Sequence, residues 1–533
     1  MTFTTLDYVI FSIYCSIIIG VGLWVSRERE GHKKDTADYF LASKSLPFWA
    51  IGASLIASNI SAEQFIGMSG SGFRIGLAIA SYEWMAAVTL LVIAWFFLPI
   101  YLQKGIFTMP QFLEQRYDTR VRTLLAVFWL FVYVFVNLAS VLYLGALAIE
   151  GIMGVPLVWG IVGMAIFATI YSIYGGLKAV AWTDVIQVVV LIGGGLLTTY
   201  FALDAFSGGE GAIAGFSQLL TEAGDRFNVI LFRGELMYET DTGEIADAWD
   251  LLPGMAVLFG GMWVANLFYW GCNQYIIQRA LAAKDLREAQ RGLAFAAFIK
   301  LLLPLVVVIP GIVTYALDAP ITRGDEAYPW LLGQFLGSGV RGLAFAALVA
   351  AVVSSLASMM NSTATIFTMD LYRNMFKTDA SEQHLVSVGR VVTLVAIILG
   401  VLVAPQLANL DQAFQYIQEY TGFISPGVLA IFVLGLFWKK ATPNAALTSA
   451  ILSIPLSIGM KVLTPGLPFM HRMMAVFVIS ILLIVVISYL EGKGKDHPRG
   501  IDLSSIKLVK DPVYNIAAFA ILAITAVLYA LFW

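Results

Sequence analysis

Ala57-Ser58-Asn59-Ile60-Ser61-Ala62-Glu63-Gln64, followed by Gly67, Gly70 and Gly72, is the stretch that decides how this chain folds. It lies within an apolar run, yet it carries two hydroxyls, two amides and a carboxylate. A second stretch repeats the pattern: Gly260-Gly261-Met262-Trp263-Val264-Ala265-Asn266, then Gly271, Asn273 and Gln274. Lipid tolerates irregular backbone only where protein or a water-filled cavity covers it. Each stretch therefore predicts a helix interrupted at mid-membrane depth. Each also opens a run of five apolar segments, the pattern of an inverted repeat built round a central binding site. Small residues alone could serve close helix packing. Asn59, Glu63, Gln64 and Asn266 favour the interrupted helix, because each polar group in hydrocarbon needs a partner.

The rest of the chain fits this frame. Its 533 residues would make three or four soluble domains at roughly 150 residues each. With 13% charged and 59% hydrophobic residues, there is too little polar surface to coat them. A single all-α integral membrane domain over 1–533 is expected. At about 20 apolar residues per crossing, fourteen transmembrane helices are predicted, near 5–26, 45–73, 76–103, 121–149, 156–176, 179–203, 251–275, 288–316, 339–372, 386–408, 412–438, 443–464, 470–490 and 513–533. Residues 5–26 follow no basic region and precede no small-residue cleavage site, so they are read as a retained span.

Charge tests this count, because cytoplasmic loops collect Lys and Arg. With the N-terminus outside, only Arg74, Arg226, Arg233, Arg323, Arg341, Lys461 and Arg472 of the 32 basic residues fall outside. Lys300 lies within a span and the remaining 24 fall inside. A miscounted span would scramble that bias, so both termini are expected outside, and 204–250 is an acidic outside loop. The net charge of −3 and the lack of a basic run exclude a broad nucleic-acid binder. Two cysteines support neither a disulfide framework nor a zinc site, and no phosphate-binding G-x-x-x-x-G-K-[ST] motif occurs. No cluster assembles a nucleophile, a base or a metal, so an enzyme is not expected.

Lys300 stands about 12 residues from the inner end of its span, roughly 18 Å deep. Glu83 comes out roughly 20 Å above the inner face of a ~30 Å core. The two charges share a depth and are predicted to face one internal cavity, either as a structural strut or as hydrogen-bonding groups for a polar solute. Ser354-Ser355 lies mid-span in the ninth segment. Such hydroxyls often bond the carbonyl four residues back. A hard cation, however, takes oxygen ligands, and carbonyls freed near Ala57 and Ile60 could complete a weak Na⁺ site.

Five long motifs carry a resemblance: Ala-Ser-Asn-Ile-Ser-Ala-Glu-Gln-Phe-Ile-Gly (57–67), Tyr-Gly-Gly-Leu-Lys-Ala-Val-Ala-Trp-Thr-Asp-Val-Ile-Gln (174–187), Trp-Val-Ala-Asn-Leu-Phe-Tyr-Trp (263–270), Val-Val-Ser-Ser-Leu-Ala-Ser (352–358) and Ala-Phe-Gln-Tyr-Ile-Gln-Glu-Tyr-Thr-Gly (413–422). Through them the chain resembles the sodium/solute symporter family, in particular its sodium/glucose cotransporter branch. The resemblance implies a leucine-transporter-type five-plus-five inverted repeat (45–203 and 251–438), with an extra helix at 5–26 and three more in 443–533. It implies sugar hydroxyls held by Gln64, Glu83, Asn266, Lys300 and Gln418. Tyr269 would stack on the ring as the inner gate, braced by Asn59, and Met68, Tyr82 and Phe414 would close the outer side. Na⁺ would take the carbonyls of Ala57, Ile60 and Ala351 and the hydroxyls of Ser354 and Ser355. Asp184 would lie at a sodium exit or, from its shallow position, snorkel in a structural role. Ala86 and Phe268 depart from the family's serine and tyrosine.

The implied activity is sodium-driven import of a monosaccharide, galactose or glucose, by alternating access across a bacterial inner membrane. The implied partners are the sugar, Na⁺ and the bilayer, with the oligomeric state open. Symport of myo-inositol, sialic acid or proline, or a transport-inactive sensor or channel, are the rivals; Lys300 with Glu83 argues against proline.

Overall fold

A computed structural model of the chain describes residues 3–27, 35–240, 243–409, 418–419 and 421–533. Its helices run α1 (Thr5–Ser26), α2 (Phe48–Asn59), α3 (Ser69–Ile75), α4 (Ser81–Phe96), α5 (Thr119–Met153), α6 (Leu157–Phe206), α7 (Gly254–Phe259), α8 (Gly261–Gly271), α9 (Gln274–Leu281), α10 (Leu286–Ala316), α11 (Val340–Phe376), α12 (Glu382–Val403), α13 (Ser425–Phe437), α14 (Pro443–Leu463), α15 (Phe469–Gly492) and α16 (Pro512–Leu531). Among the described residues, ten helical stretches are long and apolar enough to cross a membrane, and the pair Ala248–Phe259 and Gly261–Gly271, bent by 74°, makes eleven. Phe48–Asn59, Leu157–Ile170 and Ser425–Phe437 are further, shorter apolar helices among the described residues.

Burial ranks the helices. The most apolar window of α11 is 94% buried in protein, whereas that of α1 is 17% and those of α14, α15 and α16 are 22–28%. The interior is therefore built round α11 and α10, with the terminal helices coating it toward lipid.

Both interrupted stretches are broken. After α2 the backbone is extended at Ile60, and a π-helix, Glu63–Met68, leads into α3. Gln64 restarts the helix: its Oε1 accepts from Ser61 N at 2.8 Å and from Ser61 Oγ at 3.1 Å, while Ser61 Oγ accepts from Glu63 N at 3.1 Å. Side chains thus satisfy donors that a continuous helix would have used. The second break falls at Gly260, between α7 and α8.

The expected fifth and sixth spans both lie in α6, which is two helices joined directly at a non-helical kink at Gly176 (φ 58°). A Cβ on Gly176 would lie 2.2 Å from Tyr39 O, so the turn needs glycine for both its backbone angle and the close approach. The acidic loop holds, besides the surface helix Ala212–Glu222, a small antiparallel hairpin of Met237–Glu239 and Ile245–Asp247. Tyr238 and Leu236 are buried beneath it, and that apolar anchor steadies strands too short to stand alone.

Candidate functional site

Residues on either side of the first break and just past the second line one cavity. Asn59 and Gln64 reach it from the first break, Glu83 and Tyr82 from α4, Asn266 and Tyr269 from α8, Lys300 from α10, and Gln418 from the segment before α13. All six residues expected to hold the solute therefore line one space.

Its centre is an ion pair. Lys300 Nζ donates to Glu83 Oε2 and to Asn59 Oδ1, with the lysine and glutamate side chains 1% and 4% exposed. The ammonium also sits 5.1 Å from the centroid of the Trp270 ring. Stripping water from two charges costs several kcal/mol per ion; the mutual contact, the Asn59 amide and the indole face offset that cost. Asn59 then donates through Nδ2 to the Tyr269 hydroxyl at 3.0 Å, and Tyr275 donates its hydroxyl to the same oxygen at 2.6 Å. One hydrogen-bonded chain so runs from Glu83 through Lys300 and Asn59 to the Tyr269 ring. Charged donors and acceptors beside an aromatic plate form a surface matched to a ligand with many hydroxyls and one apolar face.

Behind the first break lies the oxygen cluster. Ser355 Oγ donates to Ser58 O at 3.2 Å and Ile60 O at 3.3 Å, tying α11 to the end of α2. Ser354 Oγ and Ser54 Oγ each donate to Asp184, at 2.5 Å. Ala57, Ile60 and Ala351 are fully buried beside them in sequence. Neutral hydroxyls and uncapped carbonyls at a helix break are the donor set a Na⁺ ion takes.

Asp184 corrects one expectation. It does not snorkel: it is fully buried, and Ser54 bridges it to Arg279, whose Nε donates to Ser54 Oγ at 3.3 Å. Arg279 also donates to Ser358 Oγ and to Tyr275 O. Sequence reasoning placed Arg279 in an inside loop; the structure buries it against Ser54 and Ser358 beside the oxygen cluster. Met68 is buried but does not line the cavity, and Phe414 lies outside the described residues. Ala86 and Phe268 both line the cavity, so the two departures fall on its wall. Glu63, Trp270, Thr421, Ser425, Phe469 and Met473 line it too, unassigned from sequence.

Comparison with known proteins follows the same lines. A family model described as "Sodium:solute symporter family" matches residues 39–453. The chain is 52% identical, over 99% of its own length and 98% of the relative's, to a sodium/glucose cotransporter of Vibrio parahaemolyticus. It is 35% identical, over 84% of its length and 68% of the relative's, to sodium/myo-inositol cotransporter 2 of Oryctolagus cuniculus. A solved structure of a Na⁺-coupled sialic acid symporter, in a substrate-bound outward-open state, superposes with a TM-score of 0.78 over 91% of this chain and 98% of that one. At 23% identity that likeness establishes the shared fold.

Proposed function

The chain belongs to the sodium:solute symporter family, and on that premise we propose that it is a Na⁺-driven secondary active symporter, a transporter and not an enzyme, that imports galactose or glucose by alternating access. One observation carries this reading: the break at Ile60–Ala62 serves two sites at once. On one side it offers carbonyls to Ser355; on the other it holds Asn59 on Lys300 and Tyr269. Na⁺ bound at Ala57, Ile60, Ala351, Ser354 and Ser355 would fix the end of α2 and so the geometry of the sugar's partners. Sugar hydroxyls would exchange with the contacts among Gln64, Glu83, Asn266, Lys300 and Gln418, while Tyr269 stacks on the ring. An outer lid of Met68, Tyr82 and Phe414 would close, and the bundle would rock inward. Na⁺ would leave first, past Asp184, into a low-sodium cytoplasm, loosening Asn59 and the Tyr269 gate. A membrane potential of 100 mV adds about 2.3 kcal/mol per charge moved.

The architecture belongs to the same reading. Ten long helices, one bent pair and three shorter apolar helices would together make fourteen crossings. Residues 45–203 and 251–438 form the two inverted five-helix repeats, 5–26 and 443–533 the added helices, and 204–250 an outside loop. Both termini then face outside in the inner membrane of a bacterium. Myo-inositol is the alternative cargo, since relatives 35% identical to this chain are named for it.

Labelled-hexose uptake into proteoliposomes under an inward sodium gradient, a proton gradient or none, competed by glucose, galactose and myo-inositol, tests the proposal. Accumulation driven by sodium alone is expected, with a hexose as the best competitor. Equilibration without accumulation, or uptake indifferent to sodium, contradicts it.

A further inference from the structure

The cavity is not closed by the five-plus-five helices alone. The added helix α15 sends Phe469 and Met473 into its wall. The same helix grips the segment before α13, because Arg472 donates to Glu419 Oε1 at 2.7 Å, and Lys461 of α14 pairs with that carboxylate at 3.1 Å. Glu419 is the immediate neighbour of Gln418. Where Met473 meets α13 it finds Ser425, whose hydroxyl donates to the Met473 thioether sulfur at 3.6 Å.

Ser425 lines the cavity and is 1% exposed. A hydroxyl buried that deeply requires a partner, and a thioether is a weak acceptor. Every other polar side chain argued for the solute from the two breaks is engaged with oxygen or nitrogen: Gln64 with Ser61, Asn266 with Met262 O at 3.2 Å, and Lys300 with Glu83 and Asn59. Ser425 therefore keeps hydrogen-bonding capacity that its thioether partner uses only weakly. It stands seven residues past Gln418, on the cavity side of the same segment. Across the space, Ala86 presents only a methyl group. Methionine is the side chain best able to yield, having three rotatable bonds and no strong directional demand.

From this the geometry points to Ser425 as a further sugar-binding and specificity-determining residue, held in reserve by Met473 of α15 until a sugar hydroxyl replaces the sulfur. The proposal rests on the sugar-transport reading and adds to it one hydroxyl contact, on a wall made jointly by α13 and an added helix. Against the Met473 sulfur Ser425 has a poor partner; against a bound sugar it would donate to, and accept from, a single hydroxyl of the ring.

Sodium-driven uptake by purified protein in proteoliposomes, competed by the preferred hexose and its monodeoxy derivatives, tests it. Wild type is measured first; if it accumulates no hexose, the transport reading fails and this proposal with it. Given wild-type accumulation, Ser425→Ala is expected to bind the parent hexose about tenfold more weakly. It should bind one deoxy derivative, the one lacking the partner hydroxyl, as wild type does, with the sodium half-saturation unchanged. Equal weakening across the whole series, or no weakening, overturns the proposal and leaves the transport reading standing. If Ser425→Ala fails to reach the membrane, Met473→Leu replaces it. That change removes the resting acceptor and keeps the hydroxyl, so about threefold tighter binding of the parent hexose is expected; unchanged or weaker binding overturns the assignment.

Discussion

Lys300 shows how much of the site turns on one residue. Its ammonium is shared between Glu83 and Asn59, so Lys300→Ala removes a proposed sugar partner and also strands a buried carboxylate. Breaking a buried pair from one side costs about 3–5 kcal/mol. The variant is expected to fold with a lowered melting temperature and to show no measurable uptake. The double variant Lys300→Met with Glu83→Gln, which buries no charge, should regain most of the melting temperature and none of the uptake, as thermal unfolding and labelled-sugar uptake would show together. Full activity of Lys300→Ala, or of Gln418→Ala, would remove that residue from the sugar site. Ser355 works on the other side of the break, and Ser355→Ala is expected to raise the sodium concentration for half-maximal uptake about tenfold while leaving the order of sugar preference alone. A single charge in an apolar run marks itself, which is why Lys300 and Glu83 were legible in the sequence. Arg279 was not: it follows a short polar stretch that resembles a loop, and only the packing of α9 on α2 and α11 shows its guanidinium fully buried beside Ser54 and Ser358. Ser425 and Met473 were hidden for the opposite reason, since a lone serine or methionine in an apolar helix carries no signal of its own.

At the scale of helices, close approaches and end contacts hold the site in place. A Cβ on Gly261 would lie 2.2 Å from Met470 O, so Gly261→Ala must push α15 away from the second break. A cost of about 1–3 kcal/mol is expected, with weakened sugar binding because Phe469 and Met473 move with the helix. Gly20→Ala in α1, where a Cβ meets nothing within 4 Å, is the control and should be neutral or slightly stabilising in the same melting assay. The last helix is tied down by Asp511, which caps α16 and accepts from Arg291 at 2.6 and 3.0 Å. Hydrogen bonds from the Arg291 guanidinium hold the Asp511 carboxyl below its usual range. A depressed folded-state pKa contributes stability that is present above the unfolded value of about 3.9 and is lost as pH falls through the folded value. Asp511→Asn should therefore cost about 1.5 kcal/mol near neutral pH, the low end for a charged hydrogen bond because Arg291 is 32% exposed. The gap to wild type should close as melting is followed below about pH 4; a gap that persists there would assign the effect to packing. Sequence located both helix breaks because glycines and polar groups interrupt the apolar runs. It also placed the boundary between the fifth and sixth spans close to Gly176, the single glycine that makes the kink inside α6.

For the whole molecule, one interrupted helix lies between the hydroxyls of the central α11 and the cavity that Lys300 of α10 lines, the proposed ion and sugar sites. The expected orientation, both termini outside, rests on the bias of Lys and Arg, which is a property of the entire chain and survives errors of a few residues at each boundary. The hairpin in the acidic loop was not legible, because its strands are three residues long and draw their stability from buried Leu236 and Tyr238. Coupling through a shared element has a thermodynamic signature: whatever factor the ion adds to sugar affinity, the sugar must add to ion affinity. Equilibrium binding of labelled hexose to the purified protein across a series of sodium concentrations, with the reciprocal sodium titration at fixed hexose, measures that factor directly. Hexose binding that tightens with sodium, a matching gain in sodium affinity, and loss of both in Ser355→Ala are the expected results. Hexose affinity that stays constant from zero to saturating sodium would contradict the coupling of the two sites through the break at Ile60.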